Sequence, residues 1–219
     1  MMQPVAVAPS PQERRLAMTY EEWLAWAGDS TQSEWVDGEA IEFMPPKTVH
    51  ALVSFFIARL LAAYADRFDL GQVIVAPFEM RLARSAREPD ILFVAREHLD
   101  RLTPERLVGP ADLAVELVSD DSVRRDCLQK FAEYALAGLP EYWLIDPRPG
   151  KQRADLFHLT GEGTYEPVPL DADGRLHSLV LPSFWLHPDW LWRDPLPSPR
   201  ACLAEITPDV LTSRPPQTT

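Results

Sequence analysis

The chain has 219 residues, with 21 Lys plus Arg against 33 Asp plus Glu and a formal net charge of −12. That length suits one domain able to bury a core without staples, and Cys127 and Cys202 form neither a disulfide framework nor a zinc-type spacing, which points to a reducing compartment. The acidic balance weighs against coating nucleic acid by bulk charge, because that affinity comes from Lys and Arg on phosphates. The start, MMQPVAVAPSPQERR, lacks the apolar core of a signal peptide, and no uncharged apolar run approaches the roughly 20 residues that span a bilayer. These features lead us to expect a cytoplasmic protein without a membrane segment.

Three segments are expected: a flexible tail over 1–17, one domain over 18–194 and a Pro-rich tail over 195–219. Thr19 as N-cap with Glu22 three residues on predicts a short helix through Leu24. Asp37-Gly38 predicts a hairpin within Ser33–Met44. Apolar residues at helical spacing (Leu52, Val53, Phe56, Ile57, Leu60, Leu61, Tyr64) predict a long helix over His50–Phe68. Strand character follows over Gln72–Ala83, broken at Pro77, then over Pro89–Val94 and Leu113–Val118, the last two apolar enough for burial on both faces. Ser119 to Ser122 offers capping chemistry for a helix to about Ala137, stopped by Gly138 and Pro140. A strand over Glu141–Asp146, a hairpin over Ala154–Pro169, and a segment over Leu179–Trp192 with Trp185, Trp190 and Trp192 complete the chain. The order helix, three strands, helix, strand predicts an α/β or α+β fold with a mixed sheet flanked by helices.

Two acids lie in apolar strands. A carboxylate there costs several kcal/mol unless a metal, cation or water meets it. Asp90 opens its strand and Glu116 sits mid-strand among Ala114, Val115, Leu117 and Val118. Taken singly, each acid also suits an edge position or an ion pair with an arginine. Two carboxylates from neighbouring strands make the oxygen-rich site that Mg²⁺ takes, with waters left for phosphate; Mn²⁺ is the alternative ion. The basic residues are 18 Arg and only three Lys: Lys47, Lys130 and Lys151. Lys130 follows the Glu116 strand, on one helix face with Asp126 and Tyr134. An Asp126–Lys130 surface pair explains it less well in a chain that otherwise uses Arg, because a compact ammonium differs from a rigid fork.

These residues resemble a family. Glu116-Leu117-Val118-Ser119, Arg124-Arg125-Asp126, Lys130, Tyr134 and Gly138-Leu139-Pro140-Glu141-Tyr142-Trp143-Leu144-Ile145-Asp146-Pro147 look like the signature of the Uma-two restriction-endonuclease family. Glu34 to Glu39, His50 and Pro89-Asp90-Ile91 match the same pattern in order, and the resemblance runs from about Met18 to Trp192. It implies the PD-(D/E)XK nuclease-like superfamily and a restriction-endonuclease-like core. It implies Asp90 and Glu116 as catalytic metal ligands and Lys130 as the catalytic lysine. The usual lysine position, two after the second acid, is Val118, so Lys130 must act from the following helix. Along that helix it lies roughly 15 Å from Ser119. Glu34 and His50 match as accessory residues, while Tyr142 and Trp143 are expected in the core and Asp146 as a turn acid.

The expectation is a Mg²⁺-dependent DNA endonuclease using metal-activated water. Arg81, Arg84, Arg87, Arg124 and Arg125 are the candidate DNA contacts, with weak binding and no sequence specificity. A homodimer is expected for cutting both strands. The alternative is a catalytically silent nuclease fold that binds or assembles, its Trp-rich C-terminal segment serving dimerisation.

Overall fold

A computed structural model of the chain describes residues 14–27, 33–42, 47–120 and 122–208. Phe43 and Met44 of the expected hairpin, Asp121 of the expected cap, and the outer parts of both expected tails lie outside the described residues.

The hydrophobic runs of the sequence assemble one six-stranded mixed sheet. In spatial order it comprises β12 (Tyr165–Pro167), β11 (Arg153–Leu159), β10 (Glu141–Asp146), β9 (Leu113–Leu117), β7 (Ile91–Ala95) and β4 (Gly71–Val75). β9 and β10 run parallel, joined by a helical crossover, and the other neighbours are antiparallel. Side chains alternate across a sheet, so Ile91, Phe93, Leu113, Val115, Leu117, Trp143 and Ile145 pack on helix α2 (Thr48–Phe68). The opposite set, Leu92, Val94, Ala114 and Tyr142, packs with Tyr134 of helix α3 (Phe131–Ala137). Glu116 shares parity with Ala114 and belongs to the α3 side, while Asp90 lies just before β7.

By length and composition α2, 21 residues long with a most apolar window of mean hydropathy 1.6, could span a bilayer; half of that window is buried in the protein, as in a core helix. The expected stripe holds except at Leu52, which is exposed along with Val49 and Phe55.

A second sheet, in the order β1 (Arg14–Ala17), β3 (Glu39–Glu42), β2 (Ser33–Val36), β6 (Ser85–Arg87), β5 (Glu79–Arg81) and β8 (Arg106–Val108), carries helix α1 (Tyr20–Ala27). Asp37 and Gly38 both take positive φ, as a two-residue hairpin turn requires. The capping box forms as expected, Thr19 N–H donating to Glu22 at 2.7 Å and Glu22 N–H to Thr19 Oγ1 at 3.1 Å.

Parts of both expected tails are ordered elements. Arg14–Ala17 pairs with β3, its arginines meeting Glu39 and Glu42, and Pro199–Ile206 forms helix α4 on α2, with Pro at the first turn where its missing N–H costs nothing. The Trp-rich segment forms β13 (Leu176–His177), β14 (Trp185–Leu186) and a 3₁₀ turn over Pro188–Trp192. Trp185 and Trp190 are buried in the core of the same chain with ring centroids 5.0 Å apart. Those two rings of the segment expected to serve dimerisation therefore have partners within the fold.

Candidate active site

Pro89 leads Asp90 onto the edge of β7, and the β7–β9 register, with Ile91 opposite Val115, carries on to set Asp90 across from Glu116. Asp90 Oδ2 accepts from the Leu117 N–H at 2.7 Å, and His50 Nε2, near the start of α2, stands 3.5 Å from the same oxygen. After β9 the chain turns through Ser119 and Ser122, each hydroxyl accepting from the other's N–H. It then returns along the sheet as a helix whose residues Arg125–Lys130 are π-helical. Such widened turns recur at functional sites. Lys130 and Tyr134, one turn apart on one face, both donate to Glu116 Oε1, each at 2.8 Å. Asp90, Glu116, Lys130, Glu34 and His50 line one cleft of about 350 Å³.

Lys130 is buried, and its ammonium also lies 2.8 Å from Glu34 Oε1 and 3.7 Å from Asp126. Burial alone would lower its pKa, but Glu116, Glu34 and Asp126 outweigh that and hold it above the ordinary lysine value. Glu34, on β2, faces Arg87 across the β2–β6 pair at 3.1 Å and accepts from the Glu88 N–H at 3.1 Å. Its burial would raise its pKa, yet Lys130, Arg87 and Arg125 together bring it down to about 2. Glu116 goes the other way, to about 8. Burial raises it most, Lys130 opposes, and Asp126, Asp90 and Glu34 push it further up. Glu88, also lining the cleft, is raised to about 7 by burial and then by Glu34.

The donor set fits a hard divalent cation. Burial raises Glu116 most, and Asp126, Asp90 and Glu34 add to it, an acidic surrounding that a cation relieves; Asp126 Oδ1 is buried without a hydrogen-bond partner among the described residues. No trio of His, Cys, Asp or Glu among those residues could hold an ion. The protein would therefore supply Asp90 and Glu116, with water and phosphate oxygens as the rest, as Mg²⁺ accepts.

Lys130 reaches the acids from its helix. Glu34 lines the cleft but is held by Lys130, Arg87 and the Glu88 amide, so its geometry is that of a residue positioning Lys130 rather than of a metal ligand. Of the five candidate DNA-contacting arginines, Arg125 lines the cleft. Arg87 requires a correction. It is buried between Glu34 and Glu133, where no phosphate reaches it. Arg84 pairs with Asp37 at 2.8 Å and Arg81 lies 4.1 Å over the Tyr20 ring; Arg124 is half-buried. These four do not line the cleft. Sequence reasoning missed Glu88, whose spacing of two from Asp90 is the strand-parity signal. It also missed the bond of Tyr134 to Glu116, foreshadowed by its i+4 relation to Lys130. Tyr142 and Trp143 are in the core, and Asp146 accepts from the Arg148 N–H and guanidinium as a turn acid.

A family model described as "Uma2: Putative restriction endonuclease" matches residues 19–189. No curated protein matches the chain. The crystal structure of "a putative nuclease belonging to DUF820" from Anabaena variabilis resembles it with a TM-score of 0.65 at 15% identity, over 78% of this chain and 96% of that one. At that identity the likeness shows the fold alone, a mixed sheet with flanking helices. The family match covers most of the chain, including every residue of the cleft, and the chain belongs to the Uma2 family.

Proposed function

We propose that this chain is a divalent-metal-dependent endonuclease that hydrolyses DNA phosphodiester bonds. The observation that carries the reading is the facing pair Asp90 and Glu116 at one cleft, with the Lys130 ammonium 2.8 Å from Glu116. Asp90 and Glu116 would hold Mg²⁺ or Mn²⁺. When bound, such an ion polarises a phosphoryl oxygen and makes a coordinated water more acidic. His50 and the Leu117 amide fix Asp90, so the carboxylate meets its ligand without reorganising. Glu116 and Glu34 accept from two of the three N–H groups of the Lys130 ammonium, leaving one for a phosphate oxygen whose charge grows in the transition state. Arg125, on the cleft wall, supplies a second positive charge near the substrate. The reading includes weak, salt-sensitive binding without sequence preference, a cytoplasmic location, and a homodimer where both strands of a duplex are cut.

Nicking of supercoiled DNA with Mg²⁺ or Mn²⁺ tests it. Asp90→Ala and Glu116→Ala should each reduce nicking at least about 100-fold, the scale of losing charge stabilisation in a preorganised site. Activity that survives both substitutions sinks the assignment.

A further inference from the structure

We propose that Phe55 is a platform on which an unpaired nucleobase stacks beside the acidic site, so that the substrate is single-stranded or locally unwound DNA; this rests on the nuclease reading above. The cleft has two unlike walls. Charged groups from β9 and the following helix form one; Ala51 and Phe55 of α2, with Val75 and Pro77, form the other. Phe55 is 63% exposed and Val75 51%, whereas the α2 neighbours Val53, Phe56 and Ile57 are buried. Phe55 and Val75 together give the cleft an exposed apolar wall, and apolar area rimmed by polar groups marks a binding groove. Arg59, one turn further on, holds its guanidinium over the ring, 5.4 Å from the centroid. The ring stays largely accessible with that cation in place, so room remains for a base.

An aromatic ring for a base beside a cation for the backbone is the arrangement by which single strands are held, because every base offers a π-face. Phe55 lies on the helix that also carries His50, about 7.5 Å further along its axis. His50 touches Asp90, so a base next to a phosphate held at Asp90 falls within reach of the ring. Size argues the same way. A cleft of about 350 Å³ is at the small end of ligand sites and suits one nucleotide, whose base can enter only when unpaired. Charge agrees too. A chain of net −12 draws little affinity from phosphate neutralisation, and stacking provides binding that does not depend on it.

The test uses oligonucleotides carrying the fluorescent base 2-aminopurine at successive positions, whose emission is quenched by stacking. The Asp90→Asn protein with Mg²⁺ binds without cutting. It should quench the probe in a single strand whichever position carries it, and bind the matched duplex about tenfold more weakly. Adding Phe55→Ala should abolish the quench and weaken binding roughly 5- to 100-fold, while Phe55→Trp in the same background should keep both. In the cutting enzyme, Phe55→Ala should raise KM for single strands far more than it lowers kcat. Unchanged quenching and KM in Phe55→Ala overturn the inference, as does preference for intact duplex. If the unmutated protein cuts no DNA with either ion yet quenches through Phe55, the nuclease reading falls and the stacking site stands. If it cuts and Phe55 is irrelevant to quenching, the reverse holds.

Discussion

Lys130 Nζ stands 2.8 Å from Glu116 Oε1 although 14 residues separate them and they lie on different elements, a helix and a strand. The helix turns back along the strand it follows, so a lysine ten residues or so past the turn delivers its charge into the strand's interior. Glu34, from the other sheet, meets the same ammonium at 2.8 Å. One buried cation thus joins both sheets and the crossover helix.

Removing that cation should show in both stability and activity. We expect Lys130→Met to destabilise the protein by about 3 kcal/mol, the low end for breaking a buried pair, because burial already favours the neutral form of Glu116, which can stay neutral once the ammonium is gone. Nicking at a temperature where circular dichroism shows the variant folded should fall by about 100-fold or more. Lys130→Met/Glu116→Gln should recover part of the lost stability, since a neutral amide stands in for the protonated acid, and none of the activity. Urea unfolding of the two single variants and the double gives the coupling. A strictly additive result would show that the pair does not act as a unit.

How far the sequence reached follows from the range of each signal. The main sheet, α2 and the hairpin at Asp37-Gly38 were legible because apolar periodicity and turn chemistry are local. The pairing of Asp90 with Glu116 was legible because an acid has little reason to interrupt an apolar strand. The second sheet was not: β6 and β8 have three residues each, too few for a period, and pair with segments far away in sequence. Arg87 looked like a surface basic residue for the same reason. Its partners Glu34 and Glu133 lie more than 40 positions away on either side, and no local pattern marks a buried ion pair. The reach of Lys130 depended on the direction of the returning helix, which axial rise alone does not give. The helix at Pro199 did carry a signal, Ser198 followed by Pro at the first turn, within a stretch whose proline content suggested a tail.

The acid limb of the stability profile should belong largely to Glu34. Lys130, Arg87 and Arg125 bring its carboxyl down to about 2, below the ordinary glutamate value of about 4.5. The unfolded state therefore binds the proton more tightly, and the contribution to folding is fully present above about pH 4.5 and lost as pH falls toward 2. Thermal unfolding between pH 5 and pH 2 should show this decline. Glu34→Gln should be less stable at pH 6, because Arg87 and Lys130 lose a counter-charge, and should have a shallower profile below pH 4.5. An unaltered acid slope in Glu34→Gln would place the sensitivity elsewhere.

Glu141 fastens the C-terminal segment to the main sheet. It is buried at the start of β10, where Oε1 accepts from the Trp143 indole at 2.6 Å and Oε2 from Ser178 Oγ at 3.0 Å and the Leu179 and Val180 amides at 2.5 and 3.0 Å. A carboxylate serves all these donors at once because it only accepts. Glu141→Gln turns one acceptor into a donor facing donors and should cost about 1–3 kcal/mol. Glu141→Ala leaves every donor unpartnered, with a cavity besides, and should cost more, about 3–5 kcal/mol. Hydrogen exchange locates the effect. The amides of Leu179 and Val180 should lose protection in both variants before those of β9 or α2 do, since Glu141 is their partner. Simultaneous loss across the whole sheet would mean that Glu141 supports the core itself rather than the attachment of the segment.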